Sequence, residues 1–556
     1  MRVHCTPCRV AVGGGRVFAK SLSRDISVRF FLYFCNFQYC AVMLSKWLKI
    51  TLLLLLAMAP AGRMSAQRVI EYVAGMGTRD PDNPDIWILY QNVKAMHDGM
   101  TLYTDSASFD TKNNIFVAHR NVKMVITDTT TLYGSTAVYD GTTRIADVWG
   151  DTVRLIDGKT VLKTDLLSYD RNTSTASYFH WGHTVHDSAV MDSQKGYYHS
   201  DTRDIYLFDE VVLYDSNSQL ETDTLLYNTE TCLAIFISPT YIYSDSSTIY
   251  SEDGTYNTDS HEARSFKATR LTNREKRLTS DTLFFNDNTE YGEAFGNVVI
   301  VDTLNNVMCY GNVGVTDQQK HYSFVTDSAL IVYVDKGDSV FMHADTIYAY
   351  NNDNQEFEAA KAYRNVRLYR YDSQAVCDSL YYSAQDSSVT MYYNPVVWYE
   401  DYQCTADTIH CIYDSNGVRL IEMRGDVFAI EKVDSLKFNQ IKGRNANVYC
   451  HKSEPLYADI LGSARMVYYV VDEDVPVGDG TVRKELIGVN AGVGSDMRIY
   501  FKDRKPRRFA TYGSPDMKMY PIDKLPADEK FLPGYAWLVD RRPKSPSDVF
   551  LPKVTK

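Results

Sequence analysis

After the first 66 residues the 556-residue sequence contains no continuous apolar run of roughly 18 residues, which excludes a helical membrane span from its main body. Positive charge is also short. Against 70 Asp and Glu stand 58 Lys and Arg, a formal charge of -12, so no global positive field exists to draw in DNA or RNA. Cysteines Cys232, Cys309, Cys377, Cys404, Cys411 and Cys450 have no metal-type spacing, and the CxxC of Cys5 and Cys8 has no second pair or histidine cluster beside it. A bridge between Cys404 and Cys411 stays open for an oxidising compartment. No GxSxG, HExxH, P-loop or dinucleotide fingerprint stands in a suitable context. No enzyme, catalytic residue or cofactor is therefore expected. His180, His183 and His186 fall within HWGHTVH, but without a nearby cysteine or spaced carboxylate set no metal site is expected either. Proline is scarce until late: half of the 16 fall after residue 500.

What is abundant favours strands. The 42 Tyr and 23 Phe, with many Val, Ile and Thr, prefer a pleated, half-buried surface, and signals of alternating helix and strand are missing. The expected class is all-β. At the front, Met43 opens MLSKWLKITLLLLLAMAPAGRMSAQ, in which Lys46 and Lys49 precede an apolar run and small residues near Ala66, the order of a secretory signal peptide. Residues 43–66 are read as that signal, and residues 1–42 as an extension from a wrongly chosen upstream start.

One phrase repeats through the body: TLYTDSASFD at 101, TLYGSTAVYD at 131, VLKTDLLSYD at 161, QLETDTLLYN at 219 and RLTSDTLFFN at 277. Its aromatics Phe109, Tyr139, Tyr169, Tyr198, Tyr227, Tyr256 and Phe285 are separated by 30, 30, 29, 29, 29 and 29 residues. A second phrase lies between the copies, as in RNVKMVITD at 120, DEVVLYD at 209, GNVVIVD at 296 and RNVRLY at 364. Apolar residues alternate in both, so each unit holds two strands with one buried face, and Asn, Asp, Gly and Ser supply the turns. A single unit cannot bury that face, so the units must stack. About thirteen rungs near 4.8 Å apart predict a body on the order of 60 Å long. Spacing becomes irregular between 315 and 375, an expected junction. Repetition fades by about 470, where a Pro-rich, partly basic region 471–556 begins. Asp105, Asp165, Asp223, Asp281, Asp327, Asp345 and Asp407 recur in every few strands, which predicts structural corners instead of one active site.

FGNVVIVD (295–302), HRNVKMVITD (119–128) and the repeated TDxxxY or TDxxxF elements resemble the OstA/LptA family, over roughly 67–470. The resemblance implies an elongated β-jelly roll, or β-taco, of stacked antiparallel strands in two facing sheets. It also implies a non-enzymatic periplasmic carrier, with outer-membrane association as an option, that shields the acyl chains of lipopolysaccharide or another acylated glycolipid. Its partners would be LptC-like and LptD-like proteins, joined through terminal strand pairing, with head-to-tail self-association as a further option. By alternation, the inward face of the first phrase comprises Ala107, Phe109, Leu167, Tyr169, Leu225, Tyr227, Leu283 and Phe285. The second phrase adds Val122, Met124, Val153, Leu155, Val211, Leu213, Val298, Ile300, Val366 and Leu368. Together they are the candidate lipid-binding groove, although an apolar stripe of this kind also builds an ordinary packed core. Two other readings compete: a polysaccharide-active β-helix enzyme, which needs a cleft of clustered carboxylates, and a surface or adhesive β-solenoid, which turns its aromatics outward.

Overall fold

The computed structural model describes residues 69–550 except 246, 274, 275, 336, 337, 355 and 477–481. The extension 1–42, the signal segment 43–66 and cysteines Cys5, Cys8, Cys35 and Cys40 lie outside the described residues.

Successive stretches such as Ile86–His97, Met100–Asp110, Ile115–Val125 and Thr130–Asp140 run up and down, each paired antiparallel with its predecessor and its successor. All 38 strands of the described residues join one sheet, in which some passes consist of two short strands, as Thr175–Tyr178 and Gly182–His186 do beside Thr160–Asp170. The connections are made by the side chains expected to turn. Asp110 Oδ1 accepts the backbone N–H groups of Lys112 and Asn113, and Asp140 and Asn228 do the same for the residues that follow them. The last residue of these turns is left-handed at Asn114 (φ 58°), Arg144 (63°), Arg203 (64°), Cys232 (55°) and His261 (55°). Each turn also bonds its predecessor, as Arg171 N does Arg144 O and Thr258 N does Cys232 O.

Every pass bends at its middle, and the bend explains the repeated phrases. Register slips between Tyr90 and Val93, His119 and Val122, Phe208 and Val211, Phe295 and Val298, and Tyr363 and Val366. In the gap sit paired left-handed residues, among them Arg120 and Asn121 (φ 63° and 50°) and Arg364 and Asn365 (61° and 55°). Asn tolerates that conformation better than most residues, and the valine after it is the first to point inward again. The Thr-Asp of the neighbouring pass secures the bend from both sides. Thr104 donates inward to the carbonyls of His119 and Arg120, at 2.9 and 2.8 Å. Outside, Asp105 accepts from the Asn121 amide at 2.7 Å, Asp281 from Asn297 at 3.0 Å and Asp345 from Asn365 at 2.9 Å. These recurrent aspartates are corners.

The sheet is thereby folded lengthwise into two walls, and every pass contributes to both. The two facing sheets expected from the sequence are halves of a single one. The two strands of each unit are bonded neighbours, so a unit adds two strand spacings where the sequence reading allowed one. Roughly 28 passes at about 4.8 Å make a ladder on the order of 130 Å long. The irregular stretch 315–375 is no break: Tyr322–Asp335 and Asp338–Asn351 are continuous passes of 14 residues each, longer than the 11 of Met100–Asp110. Nor does the ladder stop near 470, for strands Glu454–Pro476, Val482–Lys502, Lys505–Tyr512 and Asp516–Tyr520 extend it by fifty residues.

Packing between the walls is tight enough to make glycine obligatory in places. An added Cβ on Gly182 would lie 2.2 Å from the ring of Tyr178, and one on Gly196 2.5 Å from its hydroxyl. That ring is fully buried and tied to Ser193 Oγ at 2.7 Å. Gly182→Ala is expected to cost at least about 2 kcal/mol, seen as faster hydrogen exchange across residues 175–199; unchanged exchange there would refute the slot.

After Tyr520 the chain leaves the ladder and returns as a strap along the outer face of one wall. Gln440 Nε2 donates to Lys530 O at 2.8 Å while its Oε1 accepts Leu532 N at 2.9 Å; Gln403 treats Ala536 O and Leu538 N likewise, each at 2.7 Å. Gln374 then accepts Arg542 Nε at 2.6 Å. Leu538 packs on Val376, Val396 and Trp398, and Leu532, Tyr535 and Trp537 pack on Phe428, Ile430 and Phe438.

Candidate functional site: a seam sealed at one end and open along the rest

The inward faces of the two walls meet in a lengthwise apolar seam. Over the first half of the ladder its rims are fastened together. Tyr139 Oη bonds His97 Nδ1 of the other wall at 2.7 Å. Arg171 reaches Tyr139 Oη at 2.9 Å and the carbonyl of Asp98 at 2.9 Å, and Arg144 pairs with the Asp98 carboxylate. One step along, Asp157 accepts from Tyr198 Oη at 2.8 Å and pairs with Arg203; further on, Asp215 accepts from Tyr256 Oη at 2.5 Å, with His261 at 3.5 Å. The recurring tyrosines thus have a double role: their rings fill the seam and their hydroxyls meet the rim. Burial pushes the Tyr198 hydroxyl up to about 12, while Arg203 pulls against it. Burial also opposes ionisation of Asp157, but the hydrogen bonds from Arg203 and Tyr198 and the guanidinium charge outweigh it and hold the carboxyl below its ordinary value.

Beneath these clasps the seam is dry core. Ala107, Phe109, Val122, Met124, Val153, Leu155, Leu167, Tyr169, Val211, Leu213, Leu225 and Tyr227 are all buried to 2 % exposure or less and belong to one cluster. From Leu283 onward the walls stand differently. A floor of Leu283, Val298, Val325, Ala344, Val366 and Val427 stays buried, while the next inward row is half-exposed. That row contains Phe285, Ile300, Cys309, Ile331, Met342 and Leu368. Opposite and beyond it lie Val389, Val397, Cys404, Cys411, Ile421, Ile441 and Val448. This is an open apolar trough. Its thiols show how deep it is: burial alone pushes Cys404 up to about 11 and is the leading cause that pushes Cys309 and Cys411 up to about 12, although all three residues remain partly accessible. At the far end Arg504 in one rim comes within 3.3 Å of Glu400 in the other.

Sequence reasoning thus named 18 inward positions, of which twelve seal the first half and six (Leu283, Phe285, Val298, Ile300, Val366 and Leu368) line the open part. It missed Ile331, Met342, Val397, Ile421 and Ile441, because the 29-residue spacing that located the others lapses there. The three histidines of HWGHTVH go separate ways, His180 to Asp165 at 3.3 Å, His183 to Asp192 at 2.7 Å and His186 to Thr160 at 2.9 Å. Consecutive antiparallel neighbours are also not the parallel coils of a β-helix, which removes the fold on which the polysaccharide-active reading depended.

Comparison with known proteins bears on the sealed half. The family model described as OstA-like protein matches residues 68–223 and 205–281. This stretch is similar to the OstA-like family. Its boundary at 281 falls where the clasps end and the trough opens, so the OstA-like part and the closed part of the ladder coincide. Among solved structures, LptH from Pseudomonas aeruginosa, the LptA-homologous periplasmic component of a lipopolysaccharide transport device, is 12 % identical, with 27 % of this chain covering 95 % of that one at a TM-score of 0.20. No curated protein matches the chain.

Proposed function

We propose that the protein binds an acylated glycolipid, lipopolysaccharide or a relative of it, and passes it along the trough without chemical change. The single observation that supports this is the half-exposed apolar row from Phe285 to Val448 over a buried floor. Exposing an acyl chain of about a dozen methylenes costs roughly 10 kcal/mol, at about 0.8 kcal/mol per CH₂. A trough of aliphatic side chains removes most of that cost and offers no directional anchor to stall movement. The reading places the protein in the periplasm, exported by residues 43–66 and bridging toward the outer membrane.

LptC-like and LptD-like partners, or a second copy, would join the ends of the ladder by strand pairing. Support comes from the exposed edge at the front, where Val69, Val73 and Met76 are 59, 59 and 57 % exposed beside strands Glu71–Val73 and Met76–Arg79. A photo-crosslinking residue at Ile331, Met342 or Leu368 in cells is expected to capture glycolipid, whereas one at Tyr169 or Leu225 under the clasps is not. Capture at none of the three trough positions overturns the reading, and Leu368→Asp should lower capture at Met342 at least tenfold.

A further inference from the structure

The charges of this acidic chain are not spread evenly over its outer faces. In the six passes from Ile86 to Asp170, the outward residues just past the bend form one unbroken cross-strand row. Its pairs are Lys94 with Tyr103, Tyr103 with Lys123, Lys123 with Tyr133, Tyr133 with Arg154, and Arg154 with Lys163. The next outward row on the same wall holds Met96, Val125, Ile156 and Val161, interleaved with Thr101 and Thr131. No carboxylate of these six passes points outward in either row. The opposite wall of these six passes contains no Lys or Arg at all in its strand halves 86–90, 106–110, 115–119, 136–140, 145–149 and 166–170. Glu71 lies across from Met96 at the front edge of the second row, and of the acids at the bend Asp105 and Asp165 are held by Asn121 and His180.

The two tyrosines hold the cations upright. Lys94 Nζ lies 5.9 Å from the Tyr103 ring, and Lys123 Nζ and Arg154 Cζ lie 5.9 and 5.4 Å from opposite sides of Tyr133. Alternate passes put Lys94, Lys123 and Arg154 about 10 Å apart along a rigid sheet, with Lys163 one spacing further. Lys123 and Arg154 are exposed, as is 42 % of Tyr103.

We propose that this face docks the closed half of the protein onto an anionic bilayer surface. Lys and Arg would meet lipid phosphates, the tyrosines would sit at headgroup level, and the Met, Val and Ile row would rest against the outermost acyl carbons. Complementary charge selects the partner. A flat row of cations backed by aliphatics matches a leaflet, which presents its phosphates in a plane above its acyl carbons. The contact lies outside the seam and does not depend on what the trough holds.

The test is flotation of the full chain with phosphatidylcholine vesicles, with and without phosphatidylglycerol. The protein should float only with the anionic vesicles, and less as salt is raised. Each Lys or Arg against an anionic leaflet raises partitioning roughly fivefold. The quadruple variant Lys94→Gln, Lys123→Gln, Arg154→Gln, Lys163→Gln should therefore lose at least about 100-fold. Lys94→Arg, Lys123→Arg, Lys163→Arg should keep it, which separates charge from any change in folding. Flotation of the glutamine variant equal to that of the original chain overturns the proposal, as does equal binding to neutral vesicles. Retention on a soluble polyanion without flotation also overturns it, in favour of an acidic polymer. Loss of flotation in Leu368→Asp would trace the contact to the trough and refute the outer face.

Discussion

Arg203→Ala is expected to destabilise the closed half by about 3–5 kcal/mol, because it strands the Asp157 carboxylate in the rim. That side chain is 1 % exposed, and among the described residues its ion pair comes from Arg203. Opening should be local, since each pass touches chiefly its neighbours; hydrogen exchange would rise over residues 145–214 while the strapped end is unaffected. Acid gives a sharper signature. In the native chain the Asp157 carboxyl lies below its ordinary value, so its contribution is complete above about pH 4 and is lost as pH falls through the depressed value. Without Arg203 the remaining burial favours the neutral acid, so the variant should gain stability relative to the native chain on acidification. Parallel pH profiles of the two proteins would show that the clasp contributes nothing.

Trp398→Ala should release the strap. The indole is fully buried between the outer wall and Leu538, with Nε1 donating to Gln403 Oε1 at 3.2 Å. Removing it costs about 3–5 kcal/mol and loosens the same glutamine amide that grips Ala536 and Leu538. The expected result is rapid proteolysis within residues 521–550, with the ladder intact. Gln403→Ala, which removes both backbone bonds and leaves the indole, should give the same cleavage pattern more weakly. A strap that stays protected in both variants would mean that Gln440 and Phe438 suffice to hold it.

Much of this architecture can be read from residue spacing. The Thr-Asp and Asn-Val pairs lie at the bends because the bend needs a left-handed residue, an inward hydroxyl for its carbonyls and an outward carboxylate for its amide. These are local chemical demands that a sequence displays directly. The aromatic interval gave the repeat of the first half, where Tyr139, Tyr198 and Tyr256 reach the rim at every fourth pass. What spacing does not display is the separation of the walls. Leu167 and Leu368 alternate in the same way, yet one lies under a clasp and the other faces an open trough, a difference decided by distant partners such as Asp157 and Arg203. The ladder's length was misjudged for a related reason: periodicity counts units and is silent on whether the two strands of a unit lie side by side or face each other. The tail's proline-rich composition signalled the end of repetition, but the strap depends on Gln374, Gln403 and Gln440, lone residues that no pattern marks.

Because every pass finds its hydrogen-bond partners in the passes just before and after it, nothing in the ladder waits for a remote segment. Such a body can zip up progressively from whichever end emerges first, with short loop closures throughout. Insertion or deletion of one two-pass unit would also leave all other pairings undisturbed. The length of the ladder could therefore be adjusted by gene duplication alone, in steps of about 10 Å.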